Sequence, residues 1–181
     1  MSDAKDSEKK IKNQFEVLKR IDSYIGTTNT KCTIIMSYCA AATAFIFTLL
    51  ARLEPAKASM QLMVEIGVFS CLALGLALVC MVLATLTIFP ITFSKPGSPK
   101  GQSLIFYGDI ASFGEGVNYS RKVLKTSEEE FLDDLNGQVY TLASIASNKF
   151  DRIKLVALIL MIHFGCMAAV LIGAVIYYLS F

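Results

Sequence analysis

The chain has 181 residues, 54% of them hydrophobic and 18% charged, with a formal net charge of +2 and a mean hydropathy of +0.55. A nearly neutral chain lacks the basic footprint of a nucleic-acid binder. Its apolar share exceeds the roughly 45–50% of an ordinary soluble domain, and the excess sits in three stretches free of Asp, Glu, Lys and Arg: Cys32–Ala51, Ile66–Ser94 and Leu155–Phe181.

Each stretch is long enough to cross a bilayer, for which a helix needs about 20 apolar residues. The predicted fold is an all-α integral membrane protein. It has three transmembrane helices, an N-terminal amphipathic helix and a small cytosolic helical sensor region continuous with the last span.

Residues 1–31 form the N-terminal segment. Ile11, Phe15, Leu18, Ile21 and Ile25 recur at spacings of three and four, which is one face of a helix. Lys12, Glu16, Lys19, Arg20 and Asp22 occupy the other. The apolar face either packs on the inner region or lies on the lipid surface; the acidic residues mixed into the polar face favour packing. Gly26 is predicted to end this helix, with a break at Thr27–Asn29. No cleavable signal pattern precedes the first apolar run, so the first span is expected to act as an uncleaved anchor.

The first span, 32–52, is rich in small residues (Ser37, Ala40, Ala41, Ala42, Ala44) that let helices approach closely in lipid. Arg52, Glu54 and Pro55 close it. An outer loop, 53–65, leads to the second span, 66–90, whose helix is predicted to begin at Ala58 or Ser59. Gly67, Cys71 and Gly75 recur every four residues there, as do Ala73 and Ala77. Pro90 ends the span. The five cysteines lie in or beside apolar runs without a C-x-x-C pair. They read as small hydrophobes rather than metal ligands or disulfides.

Residues 91–154 form the inner region. Ser94–Ser103 is a loop. Leu104–Ala111 is either a strand or a helical turn, and periodicity does not decide over so short a run. Thr126-x-x-Glu129 and Ser127-x-x-Glu130 are overlapping capping boxes, so a helix starts there. Phe131, Leu135, Val139 and Leu142 make its apolar face; Gln138, Thr141, Asn148 and Arg152 lie along another. No proline interrupts the chain from there to Phe181, so this helix and the third span, 155–179, read as one mechanical element. Gly165, Ala169 and Gly173 form a packing stripe in that span, used within one chain or between copies.

Lys and Arg number seven before the first apolar stretch, two (Arg52 and Lys57) between the first and second stretches, and eight between the second and third. Positive loops stay inside. The N-terminus and the inner region are therefore expected in the cytosol, and the outer loop and C-terminus outside.

No catalytic constellation is present, and the chain is not expected to be an enzyme. The single histidine, His163, lies inside the third span, away from any aqueous nucleophile. It reads as an interhelical hydrogen bond, with a pore-lining or proton-sensing role as the alternative. There is no P-loop. The cluster Glu128–Glu130, Asp133 and Asp134 suits the first turns of a helix better than a metal site. Lys31, Lys149, Arg152 and Lys154 fall near the inner membrane surface. They are flanking charges on the plain reading, or an anion site for a phosphate, with Asn29, Gln138, Ser144 or Asn148 adding hydrogen bonds.

Three stretches carry a resemblance. They are Asn29-Thr30-Lys31 leading into the first span; Leu104–Ala111 (LIFYGDIA); and Gln138-Val139-Tyr140 followed by Ser144-Ile145-Ala146 and Lys149-Phe150. In order and spacing they resemble motifs of the transmembrane effectors of Pycsar-type bacterial antiphage systems. The chain departs from that pattern at Asn29, where an acidic residue is usual, and at Leu142-Ala143, where Asn is common. The resemblance implies an effector of abortive infection in the bacterial inner membrane. A partner cyclase makes a cyclic pyrimidine nucleotide, cyclic CMP or cyclic UMP, which is the activating ligand; no other cofactor is implied. The effector then associates with further copies and impairs the bilayer. The implied ligand residues are Asn29, Lys31, Gln138, Ser144, Lys149 and Arg152, with Phe106 or Tyr107 stacking on the base. The competing expectations are a structural scaffold without nucleotide affinity, and a small transporter, for which His163 is the sole mid-membrane ionisable group.

Overall fold

The helices form where capping chemistry and uninterrupted apolar sequence allow. The computed structural model describes residues 2–54, 59–89 and 102–180. Among them the elements are α1 (Ser2–Leu50), α2 (Met60–Ile88), α3 (Tyr107–Ala111), α4 (Gly116–Lys125) and α5 (Glu128–Leu179), with no strand. The fold is all-α, and α1, α2 and α5 are each long and apolar enough to cross a membrane. Pro55, Ala58, Pro90 and nearly all of the Ser94–Ser103 loop lie outside the described residues.

The starts follow from side chains. Ser59 Oγ accepts from the Leu62 amide at 3.3 Å and caps α2. At α5 the Ser127 box closes in both directions: Glu130 N–H donates to Ser127 Oγ, and Ser127 N–H to Glu130 Oε2, each at 3.2 Å. The overlapping candidate is not used, because Thr126 Oγ1 donates to the Lys122 carbonyl at the end of α4. Phe89 leaves the helix in an extended conformation (ψ 128°), as a residue before proline must. Leu104–Ala111 resolves into a turn followed by the short helix α3.

The break predicted at Thr27–Asn29 is absent, and α1 runs through it. Thr27 Oγ1 donates to the Ser23 carbonyl, and Thr33 Oγ1 to the Asn29 carbonyl, so both hydroxyls are satisfied on the helix itself. One interior glycine costs only about 1 kcal/mol, less than the apolar packing on either side supplies.

The described residues fall into two compact units. In the first, made of residues up to 27 and 102–148, the apolar face of α1 packs inward. Ile11, Leu18, Ile21 and Ile25 are half-buried, and the Phe15 ring meets Phe131 of α5 at 6.3 Å. Leu135 is fully buried.

The second unit, Thr28–Phe89 with Lys149–Phe181, is a three-helix seam. On α2 the buried residues are Ile66, Ser70, Ala73, Ala77, Cys80, Ala84 and Thr87, at alternating steps of four and three. On α5 they include Lys149, Val156, His163, Val170 and Tyr177, one every seven residues; on α1, Cys32, Cys39 and Ile46 do the same. A period of 3.5 keeps one face of each helix on its partners, the rule of left-handed knobs-into-holes packing. Small residues predominate on the α2 side of this seam. Large ones such as Val68, Leu72, Phe47, Met161 and Ile172 face outward, as a lipid solvent permits.

The four-residue stripes divide between the two faces. Ala73 and Ala77 are in the seam, whereas Gly67, Cys71 and Gly75 are not. Gly173 is buried, and a Cβ there would lie 2.8 Å from Ile66 Cγ1, while Gly165 has nothing within 4 Å. Gly173→Leu should therefore lower stability in detergent micelles by about 1–3 kcal/mol through overpacking, read by thermal unfolding. Gly165→Leu should leave it unchanged within about 0.5 kcal/mol.

Candidate functional site

At one end of the seam two cations meet the last carbonyls of a helix. α2 ends at Ile88, so its final carbonyls have no partner within the helix. Together they carry roughly half a negative charge. Lys149 is 7% exposed. Its Nζ donates to the Thr87 carbonyl and to Asn29 Oδ1, the latter at 3.0 Å. One turn on, Arg152 Nη1 donates to the Leu86 carbonyl at 2.9 Å. Sequence spacing explains the convergence: Lys149 and Arg152 are three apart on α5, which places both on the side facing α2.

Among the described residues no carboxylate pairs with Lys149 or Arg152. Their hydrogen bonds are met by neutral oxygens, so their charge is uncompensated and the locus attracts anions. Burial pushes the Lys149 ammonium below the ordinary lysine range; the Cys32 sulfur opposes this shift and the Arg152 charge adds to it. Lys31 is exposed on α1. Lys154 is exposed and pairs with Asp151 at 3.3 Å.

The remaining predicted residues belong to the other unit. There Ser103 organises a tight turn. Its Oγ accepts from the Ile105 and Phe106 amides and donates to Asp134 Oδ2, each at 3.1 Å. Asp134 also accepts from the Leu104 amide at 2.8 Å, and Asp109 from the Ser103 amide at 3.0 Å. Tyr119 OH donates to the Leu104 carbonyl. The turn sets Phe106 against Tyr107, with ring centroids 4.8 Å apart and Tyr107 exposed. Gln138, one turn beyond Asp134 on α5, is buried, although its sequence neighbours placed it on a polar face. Ser144 is half-buried.

The structure thus brings Asn29, Lys149 and Arg152 together, and separately pairs Phe106 with Tyr107. Sequence reasoning missed Thr87, Ser103 and Asp134. Thr87 acts through its carbonyl, which no side-chain pattern reports. Asp134 was absorbed into the acidic run at the start of α5, although only its spacing of four to Gln138 sets it apart.

The profile of the Pycsar effector protein domain matches residues 13–178. The Pycsar effector protein EcPycTM of Escherichia coli is 28% identical over 146 residues, covering 80% of this chain and 79% of that protein. The Pycsar effector protein SaPycTM of Staphylococcus aureus is 33% identical over 100 residues, covering 55% of this chain and 60% of that one. No solved structure matches the chain.

A double-mutant cycle separates charge from packing. Lys149→Met removes the ammonium while keeping the volume, but strands the Thr87 carbonyl and Asn29 Oδ1, and should cost about 1–3 kcal/mol. Asn29→Leu leaves the ammonium with the Thr87 carbonyl alone and should cost about 1–3 kcal/mol. The double variant should cost less than the sum of the two, read by thermal unfolding in micelles.

Proposed function

The chain belongs to the Pycsar effector protein family, and on that premise we propose that it is a membrane effector of bacterial antiphage defence, switched on by a cyclic pyrimidine nucleotide, cyclic CMP or cyclic UMP, from a partner cyclase. On binding, it impairs the inner membrane and halts growth before phage mature. The excess of Lys and Arg in the N-terminal and 91–154 segments supports a cytosolic face for both, with the C-terminus in the periplasm.

The observation that carries this reading is the pair of cations at the end of α2. A nucleotide phosphate is a stronger acceptor than a peptide carbonyl. Drawing Lys149 and Arg152 onto phosphate would take them from Thr87 and Leu86 and leave the last carbonyls of α2 uncapped. Asn29 is within reach of the same ammonium, and Lys31 adds charge on α1. The ligand drives this exchange only by the amount that it prefers the released arrangement. The exposed ring of Tyr107, with Phe106, and the amide and hydroxyl of Gln138 and Ser144 have the chemistry that a pyrimidine base calls for. Gly67, Cys71, Gly75 and Gly165 offer outward small-residue faces for association with further copies.

The test is membrane potential in cells expressing the chain. One of the two nucleotides should depolarise the membrane rapidly, and Lys149→Ala should abolish that response and the accompanying toxicity while inserting normally. Normal toxicity in the inserted variant would overturn the site.

A further inference from the structure

We propose that the seam of the three-helix bundle is the aqueous path by which this chain passes small hydrated ions, with Ser70 and His163 as its mid-membrane polar contacts. The inference rests on the membrane-impairing function proposed above and adds where the ions cross.

Two polar atoms motivate it. Ser70 Oγ and His163 Nε2 are buried and have no hydrogen-bond partner, and both residues are essentially inaccessible. His163 Nδ1 lies 3.0 Å from the Ala73 carbonyl. A carbonyl only accepts, so Nδ1 donates and Nε2 is the ring nitrogen left without a partner. Nothing in lipid satisfies an orphaned polar atom. A seam selected for packing alone would carry an alanine and an aliphatic residue at these positions. As it stands, the closed seam bears a cost that water would remove.

The pattern extends along the helix. Lys149, His163 and Tyr177 fall fourteen residues apart on α5, with Val156 and Val170 between them. Each faces an oxygen or nitrogen of a neighbouring segment: Thr87 and Asn29, then Ala73, then, beyond the end of α1, the Glu54 backbone, whose N–H donates to Tyr177 OH at 3.0 Å. The seam therefore has a polar group at its inner end, its middle and its outer end. The α2 side consists largely of small residues such as Ser70, Ala73, Ala77 and Ala84. The outward faces lack this provision. Their hydroxyls, on Thr33, Ser37 and Thr48, are already bonded to carbonyls four residues back.

The native cysteines make the path measurable. Cys39 and Cys80 lie in the seam, packed with Ala77 and Val156, whereas Cys71 is exposed on the outward face. Full-length versions retaining one cysteine each, the others changed to alanine, are placed in proteoliposomes. A charged, membrane-impermeant methanethiosulfonate is applied with and without cyclic CMP or cyclic UMP, and membrane potential is recorded in the same samples. The expected result is depolarisation together with at least tenfold faster modification of Cys39 and Cys80, and no change at Cys71. Depolarisation with Cys39 and Cys80 still protected would overturn the seam as the path and leave the proposed function standing. No depolarisation with either nucleotide in inserted protein would remove both. As an independent arm, His163→Leu should cut the nucleotide-induced flux at least tenfold while His163→Gln retains it; wild-type flux in the leucine variant would overturn the proposal.

Discussion

An ammonium held out of water and a helix end that has no water to turn to solve each other's problem in this protein. Burying the Lys149 charge alone would cost several kcal/mol, and leaving the last carbonyls of α2 unpaired would cost a comparable amount per group in a low-dielectric surrounding. Lys149 on Thr87 removes both penalties at once, and Arg152, which is exposed, adds a bond to the Leu86 carbonyl. Because the partners are neutral oxygens, the local charge stays positive. On the proposed function, the contact that closes the seam is also the place to which a phosphate is drawn, and stability and ligand binding would compete for the same donors.

That contact also fixes how the three helices register. With Lys149 anchored, a seven-residue step on α5 brings Val156 to Cys39, Ala77 and Cys80. The next step brings His163 to the Ala73 carbonyl and the Tyr38 ring, and Tyr177 reaches the Glu54 backbone at the far end. Small residues line the α2 side of the seam, and large aliphatic ones cover the outside. In lipid the outward Val, Leu and Ile gain nothing from burial, so association rests on close approach and on hydrogen bonds. Gly173 against Ile66 shows the first and His163 the second.

Much of this was legible in the sequence. Three runs without a charged residue announced three spanning helices, and the Ser127–Glu130 pair announced the start of α5. Two features misled. Gly26 and the polar Thr27–Asn29 look like a break, yet the Thr27 hydroxyl folds back onto its own helix and Asn29 is held by Lys149. Of the repeats of four in α2, Ala73 and Ala77 are buried but Gly67, Cys71 and Gly75 are not, because the buried face follows the 3–4 alternation through Ser70, Ala73, Ala77 and Cys80. Hydropathy averages cannot separate those stripes, because both are small and apolar. The partner of Lys149 was out of reach for a different reason: a backbone carbonyl leaves no mark on residue identity.

The most direct test of the account is loss of an imposed membrane potential in liposomes that contain only the purified chain. Micromolar cyclic CMP or cyclic UMP is added from the side on which the N-terminus is exposed. Depolarisation with one of the two nucleotides, and none with the Lys149→Met protein inserted to the same level, is the predicted result. Depolarisation that is equal with and without nucleotide, or that Lys149→Met leaves intact, would contradict the claim that a cyclic nucleotide acts through this cation to impair the membrane.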